Sequence, residues 1–470
     1  MIDGGTTLAR RLERYRAATH DAVARDAPRT AAPAAELAER LATALDGEVV
    51  VTAEGRVVRC EAATRPMPVD RMRLSRLPGQ PPPNVPLVCL DTETTGLATA
   101  TGTVAWLIGL GWWVGDRFRQ VQLVLPDHAD ERALLTLLAA TIGPDAWLVT
   151  YNGRGFDWPL LVTRYRLARR AAPVHGGHLD LLPIVRRLFR HRMADARLQT
   201  AESELLGLHR IGDVEGWEIP GRYLQFLRGA PAEALVDVVR HNDQDVRSLA
   251  RLLGYLETRL GDPDRRSGAA SGDLAGLARA FARERRLDEA LACLDAVLDR
   301  DAEPATPQPR PSPRPAVRET IGAIATDEAP WWSPRRRADF GGPPARREGL
   351  GGAPRTAAFD APWTTERIAI DRANLLRRLG RHADAADAWS ALAAGPGRVA
   401  IIATIELAKL HEHRLRNRPV ALATAVRGLD QVERRRRLGR PEPALEADLS
   451  RRILRLRHRV GSAAGAAARR

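Results

Sequence analysis

Between Val85 and Thr258 the chain carries three apolar runs in quick succession, "VPLVCLD", "TVAWLIGLGWWV" and "RFRQVQLVLP". Runs of this length bounded by turn residues read as strands, and three in a row fit a meander. The pattern then changes. A helix-period segment "DERALLTLLAATIG" is followed by a strand "AWLVTYN" and a helix "FDWPLLVTRYRLARR", with two further helical stretches, "RLQTAESELLG" and "PAEALVDVVRHNDQDVRSLARLLGYLET". Strand-helix-strand alternation of this kind makes a mixed sheet flanked by helices, so residues 85–258 are expected to form one α/β domain. Upstream, residues 1–84 open with an amphipathic helix around Leu8 to Ala24, then a hairpin, "GEVVVTAEGRVVRCE". The Pro-rich Leu77–Pro86 stretch marks a boundary after it.

Past residue 260 the strand patterns stop. Three helix-turn-helix segments resemble one another: "ARAFARERRLDEALACLDAVL", "ANLLRRLGRHADAADAWSALA" and "AKLHEHRLRNRPVALATAVRGL". Ala278 and Ala290 share the offset of Ala373 and Ala385, and Ala408 and Ala421 lie one residue further apart. Small residues at such places let paired helices approach closely, so residues 270–300 and 361–460 are expected to be an all-α array resembling degenerate tetratricopeptide (TPR-like) repeats. Residues 301–360, rich in Pro, Arg and Gly, read as a disordered or loosely docked insertion.

Charge narrows the partners. The net charge of +14 is uneven: residues 361–470 hold 23 basic residues against 11 acids, whereas residues 85–255 hold 19 of each. A basic tail points to an acidic partner. No stretch approaches the length of an apolar membrane span, and the N-terminus lacks the apolar core of a secretory signal, so a cytoplasmic protein with no membrane contact is expected. Cys60, Cys89 and Cys293 are too scattered for a zinc site or disulfide framework. A Walker-type phosphate loop needs a lysine after its glycines, and the only lysine, Lys409, lies in a helical repeat. Neither G-x-S-x-G nor H-E-x-x-H occurs.

What remains is a set of carboxylates. "LVCLDTETTGL" places Asp91 and Glu93 two apart on a strand, hence on one face. "TYNGRGFDWPLL" places Asp157 at the start of a helix that follows a strand. "RHNDQDVRSL" stacks His241 and Asp245 four apart on a helix. Hard divalent cations such as Mg²⁺ and Mn²⁺ prefer carboxylate oxygen, and two of them about 4 Å apart can assist displacement at phosphorus. Such a site would hold two ions on Asp91, Glu93, Asp157 and Asp245, with His241 orienting or deprotonating the water. Thr92 and Asn152 are candidate substrate contacts, although for Asn152 holding the loop after its strand is the favoured role. Asp180 could cap the next helix or assist the site. Asp243, about 200° round the helix from Asp245, reads as a solvated charge. Trp112 and Trp113 read as core; Trp331 and Trp332 could dock the insertion or stack on bases. The run "ERRRRLGRPEPALEADLSRRILRLRHRV" could contact phosphates or be a solvated face.

"LDTETTGL", "YNGRGFDWPLL" and "HNDQD" together resemble the three exonuclease motifs of the ribonuclease-H-like DEDD (DnaQ-type) superfamily. The stretch "HLDLLPIVRRLFRHRMADARLQTAESELLGLHRIGDVEGWEIPGRYLQFLRG" resembles the middle of YprB-type ribonuclease-H-like proteins, some of which also carry tetratricopeptide-like repeats. The resemblance implies a ribonuclease-H-like fold over 85–258 and a 3′–5′ exonuclease acting on single-stranded DNA or RNA ends. It also implies Asp91, Glu93, Asp157 and Asp245 as metal ligands, His241 as the catalytic imidazole and the repeats as a possible protein-binding module. One departure stands out: family members with a catalytic His place it five residues before the last Asp, and those with four-residue spacing use Tyr. The rival expectation is a non-catalytic scaffold that grips nucleic acid with the same fold.

Overall fold

Leu87–Leu90 are buried on both faces of their strand, and only from Asp91 onward does burial alternate. A continuous apolar run of this kind suits a strand sandwiched between helices. The computed structural model of the chain describes residues 34–96, 102–302 and 364–467. The expected helix at 8–24 and nearly all of the Pro/Arg/Gly-rich stretch, with Trp331 and Trp332, lie outside the described residues.

The first part runs α1 (Ala34–Leu45), β1 (Glu48–Thr52), β2 (Gly55–Pro66), β3 (Leu87–Thr94), β4 (Ala105–Val114) and β5 (Arg117–Val124). It continues through α2 (Glu131–Thr141), β6 (Trp147–Thr150), α3 (Asp157–Leu167), β7 (Gly177–Asp180), α4 (Leu181–Phe189), α5 (Ile219–Leu227) and α6 (Val236–Leu256). All seven strands form one mixed sheet in the order β1-β2-β5-β4-β3-β6-β7, flanked by helices. The expected meander is β3–β4–β5, antiparallel throughout; β6 and β7 then add in parallel beside β3. This is the mixed α/β fold that the sequence implies.

Two features differ from the reading of the sequence. The β1–β2 hairpin forms as expected, but β2 pairs with β5 in the same sheet, so the sheet crosses the Pro-rich stretch at 77–86. The pairing covers an edge of β5 that would otherwise expose unpaired backbone groups. Leu37, Leu41 and Leu45 of α1 join Val57 and Val58 in the sheet's main core. The four-residue β7, too short to show a period, was not anticipated.

Among the described residues the second part is all-helical, with seven helices in sequence: α7 (Ser271–Arg283), α8 (Leu287–Ala302), α9 (Thr365–Arg378), α10 (His382–Ala394), α11 (Gly397–His413), α12 (Arg418–Arg437) and α13 (Pro443–Ala467). Each packs on the next. The alanines picked out by their spacing, Ala278, Ala290, Ala373, Ala385, Ala408 and Ala421, are all buried where the helices meet. At the junction, α7 lies against α4. A side chain at Gly276 would meet the Arg187 carbonyl oxygen and Leu188 Cα at 2.8 and 3.0 Å, so glycine permits the contact. One apolar cluster spans both parts, from Val149 and Leu188 to Leu277 and Val297. The three cysteines are buried and unpaired, and no helix among the described residues is long and apolar enough to cross a membrane.

Candidate metal and nucleic-acid site

Asp91 and Glu93 lie on β3, half-buried, on the face crossed by α6. What brings the helix so close is a glycine. Gly109 of β4 stands opposite Asp91 in the register, and a Cβ there would collide with Asn242 and Val246 of α6. With no side chain in the way, Asn242 reaches the strand, and its Nδ2 donates to Asp91 Oδ2 at 2.9 Å. Gln122 of β5 fixes the helix from the other side, donating to the Val239 carbonyl at 2.7 Å and to Asn242 Oδ1 at 2.9 Å.

Asp157 opens α3 just after β6, the strand parallel to β3, and is buried. Its Oδ1 accepts a hydrogen bond from the Thr92 hydroxyl. Thr92, a candidate substrate contact, is buried on the opposite side of β3 from the acid pair, and its hydroxyl holds Asp157. Asn152 is exposed, in the left-handed backbone region at φ 71°, which asparagine tolerates better than most residues. Its amide donates to Asp180 Oδ1 at 2.8 Å, and Asp180 also caps α4 through Leu182 N at 3.1 Å. Asp180 is thus both cap and loop brace. Asn152 also borders a cleft of about 430 Å³ with Arg186, Arg190 and Arg197 on its rim.

Asp245 and His241 lie on one face of α6, with His241 Nε2 3.6 Å from Asp245 Oδ2. No periodicity along the chain points to what meets them. Arg210, only 4% exposed, binds Glu202 through two nitrogens at 2.6 and 2.7 Å, Asp213 at 3.0 Å, and Asp245. Glu202 is fully buried and also accepts from Ser248. Asp213 takes His241 Nδ1 at 2.7 Å. Asp243, expected to be a solvated charge, is instead paired with Arg247.

The electrostatics follow from this crowding. Burial, then Asp245, Asp157 and Glu93, push the Asp91 carboxyl well above the usual range. Glu93 is raised to about 8, burial together with Asp245, Asp157 and Asp213 outweighing His241. Burial lifts Asp157 to about 6 against its hydrogen bonds from Thr92. It raises Asp245 too, against the opposing charges of His241 and Arg210. His241 goes up to about 9: burial opposes its charge, but the Asp213 hydrogen bond and the carboxylates of Asp245, Glu93 and Asp213 prevail. Carboxylates that resist ionising together are short of positive charge, which a hard cation supplies. The donor set fits such an ion. As the side chains stand, no three acid, histidine or cysteine groups among the described residues form a ready cage. Asp91 is turned to Asn242, Asp157 to Thr92 and Asp245 to Arg210.

A family model for the RNase_H superfamily matches residues 88–257. Residues 88–257 are similar to that superfamily and have a ribonuclease-H-like fold. The chain is also 32% identical over 219 residues to the uncharacterized protein YprB of Bacillus subtilis (strain 168). That stretch is 46% of this chain and 52% of the relative, so the chain spans about half the length of the curated relative it matches. All of the acidic residues described above, and Arg210 with its partners, fall inside the ribonuclease-H-like domain. The β1–β2 hairpin and helices α7 to α13 lie outside it.

Proposed function

We propose that the ribonuclease-H-like domain is a metal-dependent 3′–5′ exonuclease acting on single-stranded DNA or RNA ends. The observation that carries this reading is that Asp91 and Glu93 each feel the negative charges of Asp157 and Asp245, carboxylates drawn from distant stretches of the chain. The superfamily match over residues 88–257 supports nucleic-acid hydrolysis in the coarser sense. Asp91, Glu93, Asp157 and Asp245 would hold Mg²⁺ or Mn²⁺, two ions in the full arrangement. Bound there, the ions supply a water of lowered pKa and neutralise charge on the leaving oxygen. Asp213 holds the Nδ1 proton of His241 and so leaves Nε2 directed toward Asp245, where it orients the attacking water. Asn152 and the arginine-rimmed cleft beside it would receive the strand next to the scissile phosphate. The helix hairpins α7 to α12, TPR-like in their alternation of paired helices and buried alanines, would bind a protein partner.

A second reading, a nucleic-acid-binding scaffold without catalysis, is favoured by one observation: Arg210 and Asn242 already engage oxygens of Asp245 and Asp91. A panel of end-labelled single-stranded DNA and RNA with Mg²⁺ or Mn²⁺ separates the two. Stepwise shortening from the 3′ end, lost in Asp157→Asn, is the expected result; intact strands under every condition would leave only the scaffold.

A further inference from the structure

On the far side of the Glu202 segment from Asp245 lies a groove of about 760 Å³ with a floor of Met67, Leu205 and Leu206. Arg65, Arg251 and Arg259 stand along it. Arg251, Tyr255 and Arg259 are spaced four apart and so share the face that α6 and the turn after it present to the groove. None of the three arginines forms a close ion pair among the described residues, although the Arg259 charge reaches Asp273 and its guanidinium lies over the Tyr255 ring. Glu202, whose charge acts on Arg251, is committed to Arg210 and Ser248, and Asp243 to the neighbouring Arg247.

Arg210 and Arg452, both little exposed, are paired with Glu202 and Glu412. Here Arg251 is half-buried with Arg65 as a like-charged neighbour. Burial and then the Arg65 charge hold the Arg251 guanidinium below its ordinary value, and burial, Arg65 and Arg251 bring Arg247 down to about 10. Like charges held together at the edge of the interior cost stability unless an anion completes the site. Residues 1–33 and 303–363, outside the described residues, hold more arginines than acids, six against four and nine against seven.

We propose that this groove is a second nucleic-acid site, in which Arg65, Arg251 and Arg259 bind successive phosphates of a single strand whose sugars and bases lie on the apolar floor. Planar guanidinium groups match phosphate oxygens two at a time, and an apolar floor accepts any base. The site rests on the proposed nucleic-acid function but not on the carboxylates, because it faces a different side of α6 from Asp245.

The test is fluorescence anisotropy of a labelled 20-nucleotide single strand with the full chain in EDTA, which removes any contribution from metal. Arg65→Ala/Arg251→Ala should weaken binding at least tenfold and lower the slope of log affinity against log salt by roughly 1.4, two phosphate contacts at about 0.7 each. The same variant should melt no lower than the parent, because a repulsion has been removed; a purely structural role would lower the melting temperature. Should it melt lower, Arg65→Ala alone, on an exposed strand residue, must still reduce the slope by about 0.7. Arg451→Ala/Arg457→Ala, an equal loss of exposed charge on α13, should leave affinity within twofold. Equal losses in the two double variants, no loss in either, or displacement of the strand by a poly-glutamate peptide at equal charge would each overturn the groove. Weakened binding by the groove variant in a protein that cuts no strand would refute the nuclease reading and leave the groove standing.

Discussion

Arg210 offers the sharpest energetic test of how the acidic cluster is held together. Its guanidinium is 4% exposed and meets Glu202, Asp213 and Asp245, and Glu202 has no exposure at all. Replacing Arg210 with methionine keeps the stem packed but leaves Glu202 as a buried carboxylate whose remaining side-chain hydrogen bond comes from the Ser248 hydroxyl, with Arg251 interacting through charge alone. Removing one partner of a buried ion pair costs about 3–5 kcal/mol, because the remaining charge stays desolvated. With a denaturant slope of about 3 kcal/mol per molar urea, Arg210→Met should lower the unfolding midpoint by roughly 1 M or more. Adding Glu202→Gln should recover much of that loss, since a neutral amide can still bond Ser248 and no bare charge remains. A loss below about 1 kcal/mol, or a double variant no more stable than the single one, would refute the reasoning. The first outcome would mean the guanidinium is not the counter-charge of Glu202; the second, that packing rather than charge sets the cost.

Two further outcomes follow from the same contacts. Gly109→Ala puts a methyl group where Asn242 and Val246 stand, so α6 must retreat; a loss of about 1–3 kcal/mol is expected, together with weakened Mn²⁺ binding, and wild-type stability would show that the helix does not press on the strand there. Asp273 is raised to about 6, chiefly by burial, despite its contacts with Arg192. An acid whose folded pKa exceeds its unfolded value of 3.8 binds its proton more tightly when folded, so its contribution to stability grows as pH falls through 6 and is unfavourable above it. Unfolding midpoints at pH 7 and pH 4.5 should therefore differ less favourably for Asp273→Asn than for the parent; the reverse ordering would mean the ion pair outweighs burial.

Much of the site was legible because it depends on local periodicity. Strand alternation put Asp91 and Glu93 on one face, helical spacing aligned His241 with Asp245, and the strand-to-helix switch located Asp157 at a helix start. Spacing likewise singled out the buried alanines of the helical array. What escaped notice depends on contacts between distant residues. Asn242 meets Asp91 across 151 positions, and Gln122 meets Asn242 across 120. Gly109 and Gly111 look like ordinary interruptions of an apolar run until the helix that rests on them is known. Arg210, Asp213 and Glu202 sit in a segment of irregular pattern, with a single turn of α-helix, a π-helical turn and a loop, where no period marks a buried face. The signal that could have found them is charge: an arginine and several acids sit close to Leu205, Leu206 and Leu208, and any of them that is buried must be paired. The hairpin's place in the sheet escaped for the same reason, since pairing of β2 with β5 joins residues some sixty positions apart across a Pro-rich stretch.

Calorimetric titration of the full chain with Mn²⁺ bears most directly on the claim that three separate stretches of chain create one cation site. Saturable binding that is lost in Asp91→Ala and in Asp157→Ala, with both variants still folded by circular dichroism, is the expected result. Absence of binding in the parent, or binding that survives both substitutions, would contradict it.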